Sequence, residues 1–191
     1  MKQITGLILA GGLARRMGRV DKGLLPFRGK PLIAHVIERL APQVDTLIIN
    51  ANQNRETYAG FGYPVIADAV ADFAGPLAGL HAGLCACTTP LLASAPCDSP
   101  FLPADLVARL YASLIEADAQ VALAKSGGWT QPVFILCRRE LLDNLTGFLD
   151  AGEHKASLWY AAQKVIEVPF PDQTVFANIN TPEELERLES T

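Results

Sequence analysis

The sequence predicts an α/β fold in a single domain, a mostly parallel sheet with helices on both faces, on three observations. Short apolar runs rich in Val, Ile and Leu alternate with segments whose apolar residues recur at helical spacing. Strands separated by helices in this way pair in parallel and are covered on both sides. Several runs end in a polar or acidic residue, at Asn50, Asp68 and Asp98, and ligands of such sheets bind in the crevice beyond the carboxyl ends of the strands. Finally, 191 residues, half of them hydrophobic, with no linker, internal repeat or low-complexity run, suit one core spanning 1–191.

The first strand is the run Leu7-Ile8-Leu9, which breaks at Gly11-Gly12 and passes Arg15, Arg16, Gly18 and Lys22 before turning apolar again at Leu24 and Leu25. Glycines let backbone N–H groups approach an anion closely, and arginine and lysine supply the charge that a polyphosphate needs, so the loop reads as a phosphate cradle. It is not a Walker loop, because Gly23 to Gly29 encloses five residues and Lys30 precedes Pro31. Nor do Gly11, Gly12 and Gly18 give the G-x-G-x-x-G spacing of a dinucleotide fingerprint. A surface loop with solvated arginines is the competing reading. Gly11, Gly12 and Gly18 together with Arg15, Arg16 and Lys22, directly after an apolar strand, favour the cradle.

Leu24 to Phe27 is expected to form a short extended piece, and Pro31 to open an amphipathic helix over 31–41. Thr46 to Asn50 and Pro64 to Asp68 read as strands ending in polar positions. Gly75-Pro76 opens a helix whose Gly75, Gly79 and Gly83 recur every fourth residue as a close-packing face, with the Gly75 to Gly79 segment a candidate border to the ligand. Leu91 to Ala95 is the next strand and runs into Pro96-Cys97-Asp98-Ser99-Pro100. A helix from Pro103, strands over 120–124 and 131–137 about a Gly127-Gly128 turn, and a helix through Leu141 to Leu149 follow. A shorter helix is expected within 154–163, with Leu158, Trp159 and Tyr160 as packing residues. Strands over 165–168 and 175–179 come next, and Thr181-Pro182-Glu183-Glu184 caps a final helix.

A net charge of -4 argues against a nucleic-acid binder. No run has the length of a membrane span, and the N-terminal apolar stretch is too short for a signal peptide, which predicts a cytoplasmic protein. Cys85, Cys87, Cys97 and Cys137 form no C-x-x-C pair and no metal spacing with His35, His81 or His154, so they read as small buried hydrophobes in a reducing compartment. Cys97 is conceivable as a reactive thiol from its neighbours, without a nearby histidine to activate it.

The polar strand ends carry the candidate chemistry. Asp98 suits Mg²⁺, which takes a hard carboxylate together with phosphate oxygens and waters; the bland alternative is a turn or capping aspartate between prolines. Arg16 and Lys22 are placed to neutralise a triphosphate and a leaving pyrophosphate, in a reaction that needs orientation and charge stabilisation but no protein nucleophile. Asn50 and Asp68 could hydrogen-bond a base or ribose, or be plain turn residues.

Leu9-Ala10-Gly11-Gly12, Arg15-Arg16-Met17-Gly18 and Asp21-Lys22 resemble the signature of the molybdenum cofactor guanylyltransferases. The segments Gly75 to Gly79, Cys97 to Pro100, Gln131-Pro132 and Asn178 to Leu185 are similar to later blocks of that family, in the same order and over nearly the whole chain. The resemblance implies a Rossmann-like nucleotidyltransferase fold and transfer of GMP from GTP to the phosphate of molybdenum cofactor (molybdopterin), with Mg²⁺ required. It further implies that Leu9, Ala10, Gly11 and Gly12 hold the nucleotide, Lys22 its phosphates, Asn50 and Asp68 further parts of GTP, and Asp98 the metal. Gly79, Asn178 and Asn180 fall to the pterin-substrate side, and molybdoenzyme apoproteins or their chaperones to the partners downstream. A cytidylyltransferase for the same cofactor, a sugar-1-phosphate nucleotidyltransferase and a non-catalytic nucleotide or cofactor carrier are the competing readings. The Leu-Ala-Gly-Gly run favours guanine over the first, and the short C-terminal part disfavours the second.

Overall fold

A computed structural model describes residues 3–10, 13–14, 20–68, 75–179 and 181–189. Its centre is a seven-stranded sheet of β1 (Ile4–Leu9), β6 (Thr46–Asn50), β7 (Val65–Ile66), β8 (Leu91–Pro96), β9 (Val121–Ser126), β10 (Trp129–Arg138) and β11 (Val165–Phe170). They lie side by side in the order β11-β9-β10-β8-β1-β6-β7. All pair in parallel except β10, which runs antiparallel to both β8 and β9. Two short hairpins stand apart from the sheet: β2 (Leu13–Ala14) with β3 (Val20–Asp21), and β4 (Pro26–Phe27) with β5 (Lys30–Pro31).

The strands are apolar on both sides because both sides are covered. Ile4 and Ile8 of β1 pack in one cluster with Ile33, Val36 and Leu40 of α1 (Leu32–Leu40) and Leu106, Leu110 and Leu114 of α4 (Leu106–Glu116). Leu7 faces the opposite cluster, with Leu77, Leu80 and Leu84 of α3 (Pro76–Ala86), Leu145 and Leu149 of α5 (Leu142–Asp150) and Trp159 of α6 (Ala156–Ala161). Each such fully buried aliphatic side chain contributes roughly 1.5–3 kcal/mol. The glycine spacing of α3 packs as expected: a Cβ on Gly83 would lie 2.4 Å from Leu7 Cδ2, and one on Gly79 2.6 Å from both Leu9 Cδ2 and Asn50 Oδ1. Only glycine lets this helix approach β1 and β6 so closely.

From β1 the chain moves outward to β6 and β7, then returns to β8 on the other flank of β1. The crevice beyond β1 and β8 is therefore the switch point at which ligands of open α/β sheets bind. No helix among the described residues is long and apolar enough to cross a membrane.

Several elements differ from expectation. The segment 175–179 is not a strand: Thr174–Phe176 forms a 3-10 turn. Asp172 Oδ1 accepts hydrogen bonds from Thr174 N at 2.8 Å and Thr174 Oγ1 at 2.7 Å, which curls the chain. Phe176 then lodges edge-on between Phe134 and Phe170 rather than entering a ladder. A helix that the sequence reading lacks, α2 (Arg55–Ala59), follows β6 and buries Tyr58. Leu158 is 50% exposed while its neighbours Trp159 and Tyr160 are buried, and Cys85 is exposed while the other three cysteines are buried. The last helix, α7 (Pro182–Glu189), begins at its predicted cap, with Glu184 N–H donating to Thr181 Oγ1 at 3.2 Å.

Candidate active site

The ends of β1 and β8 are joined past their last paired residues. Cys97 N–H donates to the Leu9 carbonyl at 3.1 Å, and Ala10 N–H donates to the Asn50 carbonyl at 2.8 Å. The Leu9 carbonyl and the Ala10 amide thus have partners within the sheet, which fixes the backbone at the end of β1 beside the crevice. Gly11, Gly12 and Arg16 lie outside the described residues. Leu13 pairs with Asp21 and Ala14 with Val20 in antiparallel fashion, which returns Asp21 to the neighbourhood of the β1 end.

That return delivers Lys22 to Asp98. Lys22 Nζ lies 3.0 Å from Asp98 Oδ2, with the two side chains only 19% and 10% exposed. A buried carboxylate needs both oxygens satisfied, and Asp98 Oδ1 is buried without a hydrogen-bond partner among the described residues. Such an orphan costs about 1–3 kcal/mol, more for a charged group. A hard divalent cation is the species that an unsatisfied, partly charge-compensated carboxylate oxygen fits, and Mg²⁺ takes one or two carboxylates with the remainder from phosphates and water. Among the described residues no cluster of three or more potential metal ligands exists, so a metal here would complete its shell from substrate and solvent.

The position of Lys22 is fixed from below. Asp21 accepts hydrogen bonds from the Tyr58 hydroxyl and from Asn54 Nδ2, the latter at 3.1 Å. Gly23 sits so close beneath them that a Cβ there would lie 2.6 Å from Tyr58 Oη and 3.2 Å from Cys97 Cβ and Sγ. Asn54 itself adopts a left-handed conformation at φ 50°, one that asparagine tolerates, to start α2 and turn Tyr58 inward. Burial, then the nearby Cys97 and Asp21, push the Tyr58 hydroxyl far above its ordinary pKa, so it donates as a neutral phenol. Burial likewise raises the Cys97 thiol, with Asp98 and Asp21 adding to the effect. Cys97 is therefore a packed thiol, not a reactive one.

On the β6 side, Asn50 Nδ2 donates to Asp68 Oδ1 at 2.9 Å and Asn52 Nδ2 to Asp68 Oδ2 at 2.8 Å, while Asp68 N–H donates to Asn52 Oδ1 at 2.9 Å. The two strand ends chosen from sequence thus meet, with Asn52 as a third member. Gly79 touches this group only by leaving room for Asn50. On the β8 side, Ile179 N–H donates to the Asp98 carbonyl at 3.0 Å, and the fully buried Ser99 hydroxyl donates to Asn178 Oδ1. Asn178 is thereby brought beside Asp98; Asn180 lies outside the described residues. Among the described residues, the predicted polar ones converge on one sheet edge in two wings, Asn50–Asp68 and Asn178, flanking Lys22–Asp98. Tyr58, Asn54, Asn52, Gly23 and the supporting role of Ser99 went unread. The only signals in sequence were the Asn52 to Asn54 cluster and a tyrosine two residues before Gly60.

Comparison with known proteins gives a consistent picture. A family model described as a MobA-like NTP transferase domain matches residues 6–167. A molybdenum cofactor guanylyltransferase of Polynucleobacter asymbioticus is 51% identical, covering 99% of this chain and 97% of that protein. One from Cupriavidus necator is 53% identical, covering 95% and 94%. Among solved structures, molybdopterin-guanine dinucleotide biosynthesis protein A of Archaeoglobus fulgidus shares the fold, with a TM-score of 0.82, 24% identity and 97% coverage of both chains.

Proposed function

The chain belongs to the MobA-like NTP transferase family, and we propose that it is a molybdenum cofactor guanylyltransferase, which transfers GMP from GTP to the phosphate of molybdenum cofactor and releases pyrophosphate. The observation that carries the reading is the buried Lys22–Asp98 pair with its unsatisfied Asp98 Oδ1, set at the switch point between two polar wings. A reaction that joins two phosphate-bearing substrates needs one charged centre for the phosphates and a pocket on either side for the two organic parts.

In that reaction the terminal phosphate oxygen of molybdopterin attacks the α-phosphorus of GTP in line. The bond between the α-phosphorus and the bridging oxygen breaks, and its electron pair leaves with pyrophosphate. Lys22, together with Arg16, stabilises the charge that accumulates on the leaving group. Asn50 and Asp68 hold the base or ribose of GTP, and Gly11 and Gly12, which carry no side chains, suit close approach of main-chain N–H groups to its phosphates. Asp98 would hold a divalent ion, Mg²⁺ by the hardness of its donors, and that ion when bound supplies Lewis-acid polarisation of the phosphate oxygens. Asn178 faces the cofactor substrate. The buried unpaired thiols of Cys87, Cys97 and Cys137 support a reducing, cytoplasmic setting, with molybdoenzyme apoproteins or their chaperones as recipients of the product.

Calorimetric titration with GTP, CTP and molybdopterin, followed by a pyrophosphate-release assay, tests the reading. Release from GTP with molybdopterin, and not from CTP, is expected. Equal turnover of CTP would make the chain a cytidylyltransferase, and binding without release would make it a carrier. Asp98→Ala should keep the circular dichroism spectrum of the fold and abolish pyrophosphate release; near-normal turnover would sink the metal assignment.

A further inference from the structure

One exposed feature of the site edge takes no part in the chemistry above. Because β10 runs against its neighbours, the turn joining it to β9 projects from the same edge as the ends of β1 and β8. Its register can be followed strand by strand. Cys137 pairs with Leu92 on one side and Val121 on the other, so Ser126 stands level with Cys97, each five residues further on. Trp129 pairs with Ser126. The β10 to β8 ladder ends at Ile135 and Ser94, and β9 lies two strand positions from β8, so at strand spacings of about 4.8 Å the Trp129 backbone lies on the order of 10 Å to the side of the Cys97-Asp98 turn.

Trp129 is 78% exposed, and its ring meets no other ring or hydrogen-bond partner among the described residues. The support beneath it is rigid. Gly127 and Gly128, at φ 58° and 83°, make a two-residue turn of the kind that follows the strand twist. Between Thr130 and Ile135 the ladder shifts register, as bulges near ligand sites do. Side chains capture the carbonyls there: the Tyr160 hydroxyl donates to Pro132 O and Ser94 Oγ to Val133 O, both at 2.6 Å. Ser126 Oγ donates to Asp172 O at 3.2 Å, tying the hairpin to the segment that carries Asn178 to Asp98. Directly paired residues share a face, so Trp129 stands on the same face as that segment.

We propose that Trp129 is a stacking platform for the pterin ring of the cofactor substrate and the chief determinant of its affinity. The inference rests on the transferase reading above. There the guanine nucleotide occupies the Asn50–Asp68 wing, across β1 from the hairpin, and the second substrate takes the wing that Trp129 and Asn178 border. A flat, conjugated heterocycle whose phosphate must reach Asp98 matches an exposed indole carried on a braced hairpin at that lateral distance. Stacking of a heteroaromatic base on a protein aromatic changes affinity by about tenfold or more.

The test uses the full chain with Trp129→Ala and Trp129→Phe. In the pyrophosphate-release assay, Trp129→Ala should raise KM for molybdopterin about tenfold or more, with no comparable change in KM for GTP, and Trp129→Phe should recover part of the loss. The chain has two tryptophans, and Trp159 is buried with its Nε1 bonded to Asn144. Molybdopterin without GTP should therefore quench the red-shifted emission of Trp129, GTP alone should not, and the quench should vanish in Trp129→Phe. An unchanged molybdopterin KM in Trp129→Ala, a shift in the GTP KM instead, or a change of oligomeric state alone would overturn the proposal. Loss of pyrophosphate release by the unmodified protein would count against the transferase reading, while the fluorescence titration still decides whether Trp129 meets the pterin.

Discussion

Replacing Gly23 by alanine is the sharpest probe of how Lys22 is held. The new methyl group would lie 2.6 Å from Tyr58 Oη and 3.2 Å from Cys97, against about 3.4 Å for an ordinary contact. Tyr58 is fully buried and its hydroxyl bonds Asp21, so the ring has nowhere to withdraw without giving up that bond. Overpacking a core costs about 1–3 kcal/mol, and a hydrogen bond to a charged group about 1.5–3 kcal/mol. Because the two losses share one displacement, a combined cost of about 2–4 kcal/mol is expected. Tyr58→Phe removes the atom that is struck, at the cost of the Asp21 bond alone. Gly23→Ala should therefore destabilise the Tyr58→Phe protein less than the unmodified one, with a coupling above about 1 kcal/mol. Urea unfolding of the four proteins measures this directly, and the same set in the pyrophosphate assay reports Lys22 placement. Additivity within about 0.5 kcal/mol, the behaviour of independent sites, would refute the claim that Gly23 and Tyr58 form one clamp.

Two further outcomes follow from neighbouring contacts. Ser99→Ala deletes the hydroxyl that fixes Asn178. It should cost about 0.5–1.5 kcal/mol of stability and raise KM for molybdopterin more than for GTP; equal rises would move Asn178 out of the cofactor wing. Burial raises the pKa values of Tyr58 and Tyr160, so both keep their protons in the folded state at a pH where the unfolded chain releases them. With folded values above the unfolded value of about 10, their contribution is complete below pH 10 and declines as the pH climbs beyond it. Chemical denaturation at pH 8 to 11 should show this decline, shallower in Tyr160→Phe, and an identical slope in that variant would exclude Tyr160 as a source.

The sheet and its ligand edge were legible because period and punctuation agree. Leu7 to Ala10, Leu47 to Ile49 and Leu91 to Ala93 are continuous apolar runs followed by a glycine or a polar residue, the pattern of a doubly covered parallel strand. Asp98 and Lys22 could be paired on that basis although 76 residues separate them. The underpinning was not legible. Tyr58 lies on a helix of five residues, too short to show a period, and acts through a hydroxyl that any exposed tyrosine also has. Gly23 has no turn to announce it, since its need is space beneath a ring rather than a positive φ. The segment 175–179 misled because Val175, Phe176 and Ile179 have strand composition, while the Asp172 side chain diverts the backbone before a ladder can form. The antiparallel direction of β10 was implicit in the Gly127-Gly128 pair, whose two-residue turn permits no other pairing.

The bond from Ile179 N–H to the Asp98 carbonyl also sets an order of assembly. Lys22 and Asp98 can meet once the first half of the chain has been made, but the wall that holds Asn178 closes a second loop of similar length, 79 residues from Ser99 to Asn178, and can join only when synthesis is nearly complete. Loop closure costs rise only logarithmically with length, so the late step is delayed more than it is penalised. A chain clipped near Gln173 would lack one wing and also the buried side chains of Phe176 and Ile179, leaving gaps against Phe134, Phe170, Phe27 and Leu32. Damage at this end would therefore weaken the fold and the exchange together, because one short segment both fills the core and walls the site.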